Sequence, residues 1–242
     1  MVRAGRGYPV RNTTHGQEYL PILFDSVGAG NGTTGAATLS ETHIISPRAS
    51  IVLASLTFSP TTAGANPIPY TSAVVTCGTK TMIPLEVTTS SDGDGDGIAL
   101  YYVMGPPSGS QTIEANNGST AFSGAINSVS YINVAGVGTP QYYVGTASPL
   151  SASYAAPYWQ KLVCCGGFRG ASFSASIGGF SGAGQNTRWN WSMAAHSAGQ
   201  PAILGDAPGG GSIDFITTLS GMYSAWWGAA IVPLIPMRTS AI

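Results

Sequence analysis

The acidic residues are most concentrated in the repeat Asp92-Gly-Asp94-Gly-Asp96-Gly97, the segment that best fits metal chemistry. A D-x-D-x-D-G stretch begins an EF-hand loop, because hard cations such as calcium bind carboxylate oxygens. The twelfth position of such a loop would be Val103, where a Glu is needed, and it falls in a predicted strand rather than a helix. We therefore predict a Gly/Asp turn between two strands. A weak calcium site at Asp92, Asp94 and Asp96 is the alternative.

Residues for nucleophilic or acid–base catalysis are scattered along the chain. His15, His43 and His196 are far apart and form no H-E-x-x-H or H-x-H motif. No serine occupies a G-x-S-x-G turn, and the remaining carboxylates cannot be paired from sequence into the two that a glycosidase needs. The Gly-rich segments do not match the phosphate-binding pattern G-x-x-x-x-G-K-[ST]. We predict that the chain is not an enzyme and uses no cofactor.

Aromatic residues are the other candidates for ligand contact, since the chain has five Trp and eleven Tyr. Consecutive residues of a strand point to opposite faces, so Trp226 and Trp227 would place one ring outward. Trp189 and Trp191 would share one face. Outward rings can stack on a sugar or anchor a protein interface, whereas inward rings form core.

Residues 1–17 are basic and Gly-rich, and they contain three arginines before the first acid, Glu18: Arg3, Arg6 and Arg11. We predict an extended N-terminal arm that becomes ordered against a neighbouring subunit, with Tyr8 and Tyr19 as apolar anchors at its two ends. Arginine suits such a contact because its guanidinium makes bidentate hydrogen bonds. A solvated terminus is the alternative. Three arginines are too few to predict nucleic-acid binding.

Composition indicates an all-β protein. Charged residues make up 8% of the 242 residues, against about 25% in average proteins. This excludes a helical bundle, whose surface needs many charged residues, and 43% hydrophobic residues exclude a disordered chain. Gly and Pro together are about 20% of the chain, which favours many turns. We predict one jelly-roll-like antiparallel β-sandwich over residues 18–242, following the arm.

The sequence shows neither a secretory signal nor about 18 consecutive apolar residues, so we expect synthesis in a reducing cytoplasm and no membrane insertion. The cysteines are Cys77, Cys164 and Cys165. An odd number with one adjacent pair does not fit a disulfide framework or a zinc site. Free, mostly buried thiols are the prediction.

Strand patterns are clearest in three segments. The unbroken run from Ile51 to Phe58 predicts a strand buried on both faces for part of its length. Residues 73–77 and 82–88 flank a short Gly-containing link and predict a β-hairpin, with Pro84 placing the second strand at an edge or a bulge. Residues 126–134 alternate, but neither face is purely apolar, so the buried face stays undetermined.

Several stretches resemble the β-sandwich structural proteins in virions of tailed actinobacteriophages, including mycobacteriophages, which are often labelled minor tail proteins. The similar stretches are Val74–Met82 with its Gly turn, Leu100–Ile113 with its Pro-Pro-x-Gly turn, Ile126–Gly136 with its Ser-x-x-Tyr-x-x-Val spacing, and the closing strands Ile213–Leu219 and Ser224–Leu234. The resemblance spans roughly residues 20 to 236. It implies the sandwich fold and no catalytic residue.

The resemblance also implies a structural virion protein, which we expect at the tail tip or baseplate and which acts through contacts between subunits. A capsid decoration or head-fibre protein is the alternative, and a module that binds host surface glycans is a further one. The expected partners are other virion proteins and further copies of this chain. The low fraction of charged residues agrees with contacts between subunits, because charged residues are depleted at the centres of interfaces.

Overall fold

The computed structural model describes residues 13–14, 17–60, 73–89, 96–170, 175–182, 184–191, 201–220 and 222–239. These residues form β-strands and no α-helix, and every strand pairing is antiparallel. The predicted all-β antiparallel sandwich class is therefore confirmed. The described segments also contain no helix with the length and apolarity that a membrane crossing requires.

Two sheets contain most of the strands in the first half of the chain. The first central sheet has the order β3-β12-β6-β10-β9, with β4 also paired to β12. Its strands are β3 (Leu23–Val27), β4 (Asn31–Ala36), β6 (Ile51–Pro60), β9 (Ile83–Thr89), β10 (Gly97–Met104) and β12 (Phe122–Ile132). The first outer sheet has the order β5-β11-β7-β8. Its strands are β5 (Thr38–Ile45), β7 (Val74–Cys77), β8 (Lys80–Thr81) and β11 (Gly109–Asn116).

The second half of the chain repeats this arrangement. The second central sheet has the order β13-β22-β16-β19-β18, with β14 also paired to β22. Its strands are β13 (Val134–Val137), β14 (Gln141–Gly145), β16 (Lys161–Gly170), β18 (Asn186–Trp191), β19 (Ala202–Pro208) and β22 (Met222–Pro236). Two strand pairs form the second outer layer: β15 (Leu150–Ala156) with β20 (Gly211–Thr217), and β17 (Ser176–Ile177) with β21 (Leu219–Ser220).

The layers stack in the order outer, central, central, outer, with a hydrophobic core in each of the three gaps. Alternation along β6 illustrates the arrangement: Val52 and Ala54 face the first outer sheet, whereas Ile51 and Leu53 face the second central sheet. Likewise, Leu162 on β16 faces the second outer layer and Val163 faces the first central sheet. Both central sheets are thus covered on both faces, as continuous apolar strands require.

The predicted strand from Ile51 to Phe58 is present, and it is buried along its whole length rather than only in part. The alternating segment at 126–134 is also explained, because β12 lies in a central sheet and has no solvent-facing side. Ile126 packs towards the first outer sheet, and Val129 packs towards the second central sheet.

The hairpin predicted between residues 73–77 and 82–88 is confirmed at its turn, but its second strand is wrong. Strand β7 pairs with the two-residue strand β8, but β9 leaves that sheet and pairs with β10 in the first central sheet. Met82 sits at the crossing and is buried in the core between the two sheets, which holds the chain as it changes layer. The interpretation of Pro84 is confirmed, since β9 is an edge strand and its register with β10 shifts beside Pro84.

The start and end of the described chain lie together. Strand β1 (Thr13–Thr14) pairs with β2 (Gln17–Glu18), and Tyr19 forms an isolated bridge with Arg238. The Leu20 amide donates to the Met237 carbonyl at 2.9 Å, and the Thr239 amide donates to the Glu18 carbonyl at 3.0 Å. The chain near residue 20 is therefore held against the end of β22.

Candidate functional site

A surface groove lies where the chain near residue 20 meets the turn between β15 and β16. Three segments distant in the sequence supply its walls: Pro21 and Ile22, the run Tyr158-Trp159-Gln160-Lys161, and Pro208. Two neighbouring aromatic residues, a glutamine and a lysine therefore line one depression.

The turn that carries the aromatics is held by main-chain hydrogen bonds. The Gln160 amide donates to the Pro157 carbonyl at 3.0 Å, and the Gly209 amide donates to the Gln160 carbonyl at 2.9 Å. The chain at Gly209 passes so close to this turn that a side chain there would overlap the Pro157 carbonyl oxygen. A glycine at 209 is what allows the two turns to pack together.

The two aromatic rings play different parts. Trp159 stacks on Tyr19, with ring centroids 5.0 Å apart and an interplanar angle of 11°. This contact fixes the indole and joins the N-terminal segment to the turn. Tyr158 is 51% exposed, so about half of this residue faces solvent.

Lys161 links the groove to a buried ionic cluster around Asp206. The Lys161 ammonium lies 3.5 Å from Asp206 Oδ1, and Arg188 donates to both oxygens of Asp206 at 2.6 and 3.1 Å. The Tyr131 hydroxyl donates to Asp206 Oδ2 at 2.7 Å, and Asn186 donates to Oδ1 at 3.2 Å. Two cations therefore share one fully buried carboxylate, which leaves this group with one excess positive charge.

These contacts control ionisation in the cluster. Burial on its own would raise the pKa of Asp206, but the Arg188 hydrogen bond, the Lys161 charge and the Tyr131 hydroxyl outweigh it and hold this pKa below the usual value. Burial and the adjacent carboxylate raise the pKa of Tyr131 well above the ordinary value. Tyr131 therefore remains a hydrogen-bond donor. Arg188 also covers the Phe24 ring, with the guanidinium carbon 3.9 Å from the ring centroid.

A second polar cluster joins β5 to β3 and β12 in the first sandwich. His43 Nδ1 lies 2.6 Å from Ser128 Oγ, and its Nε2 lies 2.9 Å from Ser26 Oγ. Ser128 donates in turn to Glu41, and Ser130 donates to Asp25 at 2.7 Å. Burial raises the pKa of Glu41 to about 7 and lowers that of His43 to about 4. Because His43 is completely buried, it cannot reach a solute, and the cluster ties the sheets together.

The predicted aromatic candidates separate into core and surface. Trp226 and Trp227 are both buried, in the cores on opposite sides of the second central sheet, so neither offers an open ring face to a sugar. Trp189 is half-buried, and its indole lies against the backbone of Gly30. The side chain of Trp191 lies outside the described residues.

The predicted arm contacts and metal site are largely outside the described part of the chain. This holds for Arg3, Arg6, Tyr8 and Arg11, and for Asp92 and Asp94. Tyr19 is described and contacts Trp159 of its own chain. Asp96 is fully buried at the start of β10. Among the described residues, no group of three His, Cys, Asp or Glu side chains could hold a metal ion.

The three cysteines are free and buried, one in each core. Cys164 and Cys165 are consecutive in β16 and point to opposite faces of the sheet. Burial raises the pKa of Cys77 to about 11 and that of Cys165 to about 12. These thiols therefore act as small apolar core groups.

Sequence reasoning missed the groove because residues 158–165 read as one strand. Strand β16 begins only at Lys161, and the three residues before it form the turn. The available signal was Pro157 followed by two aromatics, since a proline often precedes a change of direction. Comparison with known proteins adds no relative, as no family model, curated protein or solved structure matches this chain significantly.

Proposed function

We propose that this protein is a structural component of a tailed-phage virion, a minor tail protein at the tail tip or baseplate that acts through contacts between subunits. The resemblance over roughly residues 20 to 236 suggests this class. The observation that carries the proposal is where the fold places its few charged residues.

Several charged side chains are used inside the molecule rather than on its surface. Asp96 and Asp206 are fully buried, and Glu41 is 5% exposed. Lys161 and Arg188 are partly buried and paired with Asp206. In a chain with 8% charged residues, this leaves few charged side chains on the exterior of the part that the structure describes.

Both outer layers present mainly uncharged side chains to their surroundings, and Lys80 and Asp214 are exposed charges among their described residues. The first outer sheet exposes Thr42, Thr112, Ile44 and Val74, with Ile44 71% and Val74 51% accessible. The second outer layer exposes the serines of paired strands: Ser151, Ser153 and Ser212. Such faces have little electrostatic repulsion and little desolvation cost, so they suit permanent contact with other subunits. The central sheets, which are covered on both faces, also suit a load-transmitting subunit, whose partners are other virion proteins and further copies of itself.

The test is mass spectrometry of virions of the encoding phage after heads and tails have been separated. Recovery with tails at a fixed copy ratio supports the tail assignment. Recovery with heads replaces it by the capsid decoration alternative. Absence from both fractions, with the chain present in the infected cell, overturns the structural proposal.

A further inference from the structure

We propose that the groove between residues 21–22, 158–161 and Pro208 is a binding site for an acidic saccharide. The inference goes beyond assembly, because such a site would bind its ligand wherever in the particle the chain stands. It also moves the candidate glycan contact away from Trp226 and Trp227, whose rings are buried.

The first support is the aromatic side chain that a sugar ring would contact. Tyr158 is half exposed on a turn whose main chain is hydrogen bonded, and the next residue, Trp159, is immobilised by its stack on Tyr19. An aromatic ring on a turn held in this way offers an apolar face with little loss of main-chain entropy. The apolar face of a pyranose matches it.

The second support is the polar lining. Gln160 can donate and accept hydrogen bonds through one amide, which matches sugar hydroxyls that also do both. The Gln160 main-chain amide and carbonyl are already bonded, to Pro157 and Gly209. Because that main chain cannot pair with a peptide strand, recognition through side chains favours a saccharide over an added β-strand.

The third support is charge, and it indicates an acidic sugar. Lys161 lines the groove, and its ammonium shares Asp206 with Arg188, so two cations face one carboxylate. The remaining positive charge lies next to the groove. A carboxylate on a pyranose stacked against Tyr158 would complete the charge balance with Lys161.

The experiment begins with a glycan array of uronic-acid, sialic-acid and neutral saccharides, followed by calorimetric titration of the full chain. The titrated probes are trigalacturonate and its fully methyl-esterified form, which keeps the rings and removes the charge. We expect acidic glycans to bind, and esterification to weaken binding by about tenfold or more, the effect of losing a charge-assisted hydrogen bond.

Three variants locate the site. Tyr158→Ala should abolish binding, and Gln160→Ala should weaken it. Lys161→Met should reduce affinity for trigalacturonate to that of the ester. Lys80→Met, which removes an exposed lysine of the first outer sheet, should bind as wild type does. Thermal melts check that each variant is folded, and if Lys161→Met unfolds, the ester comparison alone decides the role of charge.

Binding of no glycan at millimolar concentration overturns the proposal. So does acidic-glycan binding that survives Tyr158→Ala, or equal affinity for trigalacturonate and its ester. None of these outcomes bears on the position of the chain in the virion, which the fractionation experiment tests separately.

Discussion

The Tyr131 hydroxyl of β12 donates a 2.7 Å hydrogen bond to Asp206 of β19, across the gap between the two central sheets. Both side chains are fully buried, and the residues lie 75 positions apart in the chain. The bond joins the first sandwich to the ionic cluster of the second. It is therefore a polar contact at the centre of the four-layer stack.

Replacing Tyr131 by Phe should destabilise the protein by about 1–3 kcal/mol, because Asp206 loses one donor that water cannot replace. The measurement is the free energy of unfolding from urea titration. Tyr154→Phe is the matched control, since it removes a hydroxyl that donates to Thr139 at 2.9 Å in an exposed position. Equal losses in the two variants would show that the buried contact has no special role.

Asp206→Asn should cost more, about 3–5 kcal/mol, because Arg188 and Lys161 would be left without their shared carboxylate. Asp214→Asn makes the same chemical change at an exposed position of β20 and should alter stability by less than about 0.5 kcal/mol. Chemical denaturation at neutral pH measures both. A loss below 1 kcal/mol for Asp206→Asn, about the value of an exposed pair, would contradict the assigned role.

The same carboxylate predicts sensitivity to acid. Since the pKa of Asp206 in the fold is below its ordinary value of 3.8, its stabilisation is present above that pH and is lost as the pH falls through the lowered value. Below pH 3.8, the free energy of unfolding should therefore fall less steeply with decreasing pH in Asp206→Asn than in wild type. If the free energy of unfolding falls equally steeply with decreasing pH in the two proteins, this prediction is contradicted.

Glu41 and His43 should have opposite and nearly cancelling effects on stability between pH 4.5 and 6.5. There the unfolded chain carries Glu41 ionised and His43 protonated, whereas the fold keeps both neutral, because their pKa values are about 7 and about 4. Both states then bind the same number of protons at this pair, so the pair contributes no slope.

Single substitutions should separate the two effects. In Glu41→Gln, stability should rise between about pH 4 and 6.5, because the unfolded state binds the extra His43 proton. In His43→Gln, it should fall between pH 4.5 and about 7, because the fold binds the extra Glu41 proton. Each change should be about 1–3 kcal/mol. Glu114→Gln controls for the loss of one negative charge. If Glu41→Gln and His43→Gln keep the wild-type dependence of stability on pH, the proposed cancellation between Glu41 and His43 is disproved.

Gly124→Ala tests the close packing of β12 on β6. An added methyl group would overlap the Thr57 carbonyl oxygen, which is main chain and cannot rotate away. We expect a loss of about 1–3 kcal/mol or more. Gly136→Ala is the control, since nothing lies within 4 Å of the position its methyl group would take. Thermal unfolding compares them, and a Gly124→Ala protein as stable as the control would refute the close contact.

Local features of the fold could be predicted because they depend on neighbours in sequence. The buried strand at Ile51–Phe58 follows from an unbroken apolar run, and the edge position of β9 follows from Pro84, which lacks a main-chain donor. The pairing of the strands could not be predicted in the same way. The step of β9 from one sheet to the other depends on the burial of Met82 in a core built from distant strands.

By itself, the sequence determined the all-β class, the antiparallel strands and their turns, since alternation, glycine and proline act over a few residues. Only the tertiary structure decided that β12 has two buried faces, that Trp226 and Trp227 are both core, and that Asp206 meets Tyr131 and Lys161. The groove likewise exists only in the folded chain, because folding brings residues 21–22, 158–161 and 208 together. The physical reason is that strand formation responds to local pattern, whereas layer order and buried pairing minimise the free energy of the whole chain.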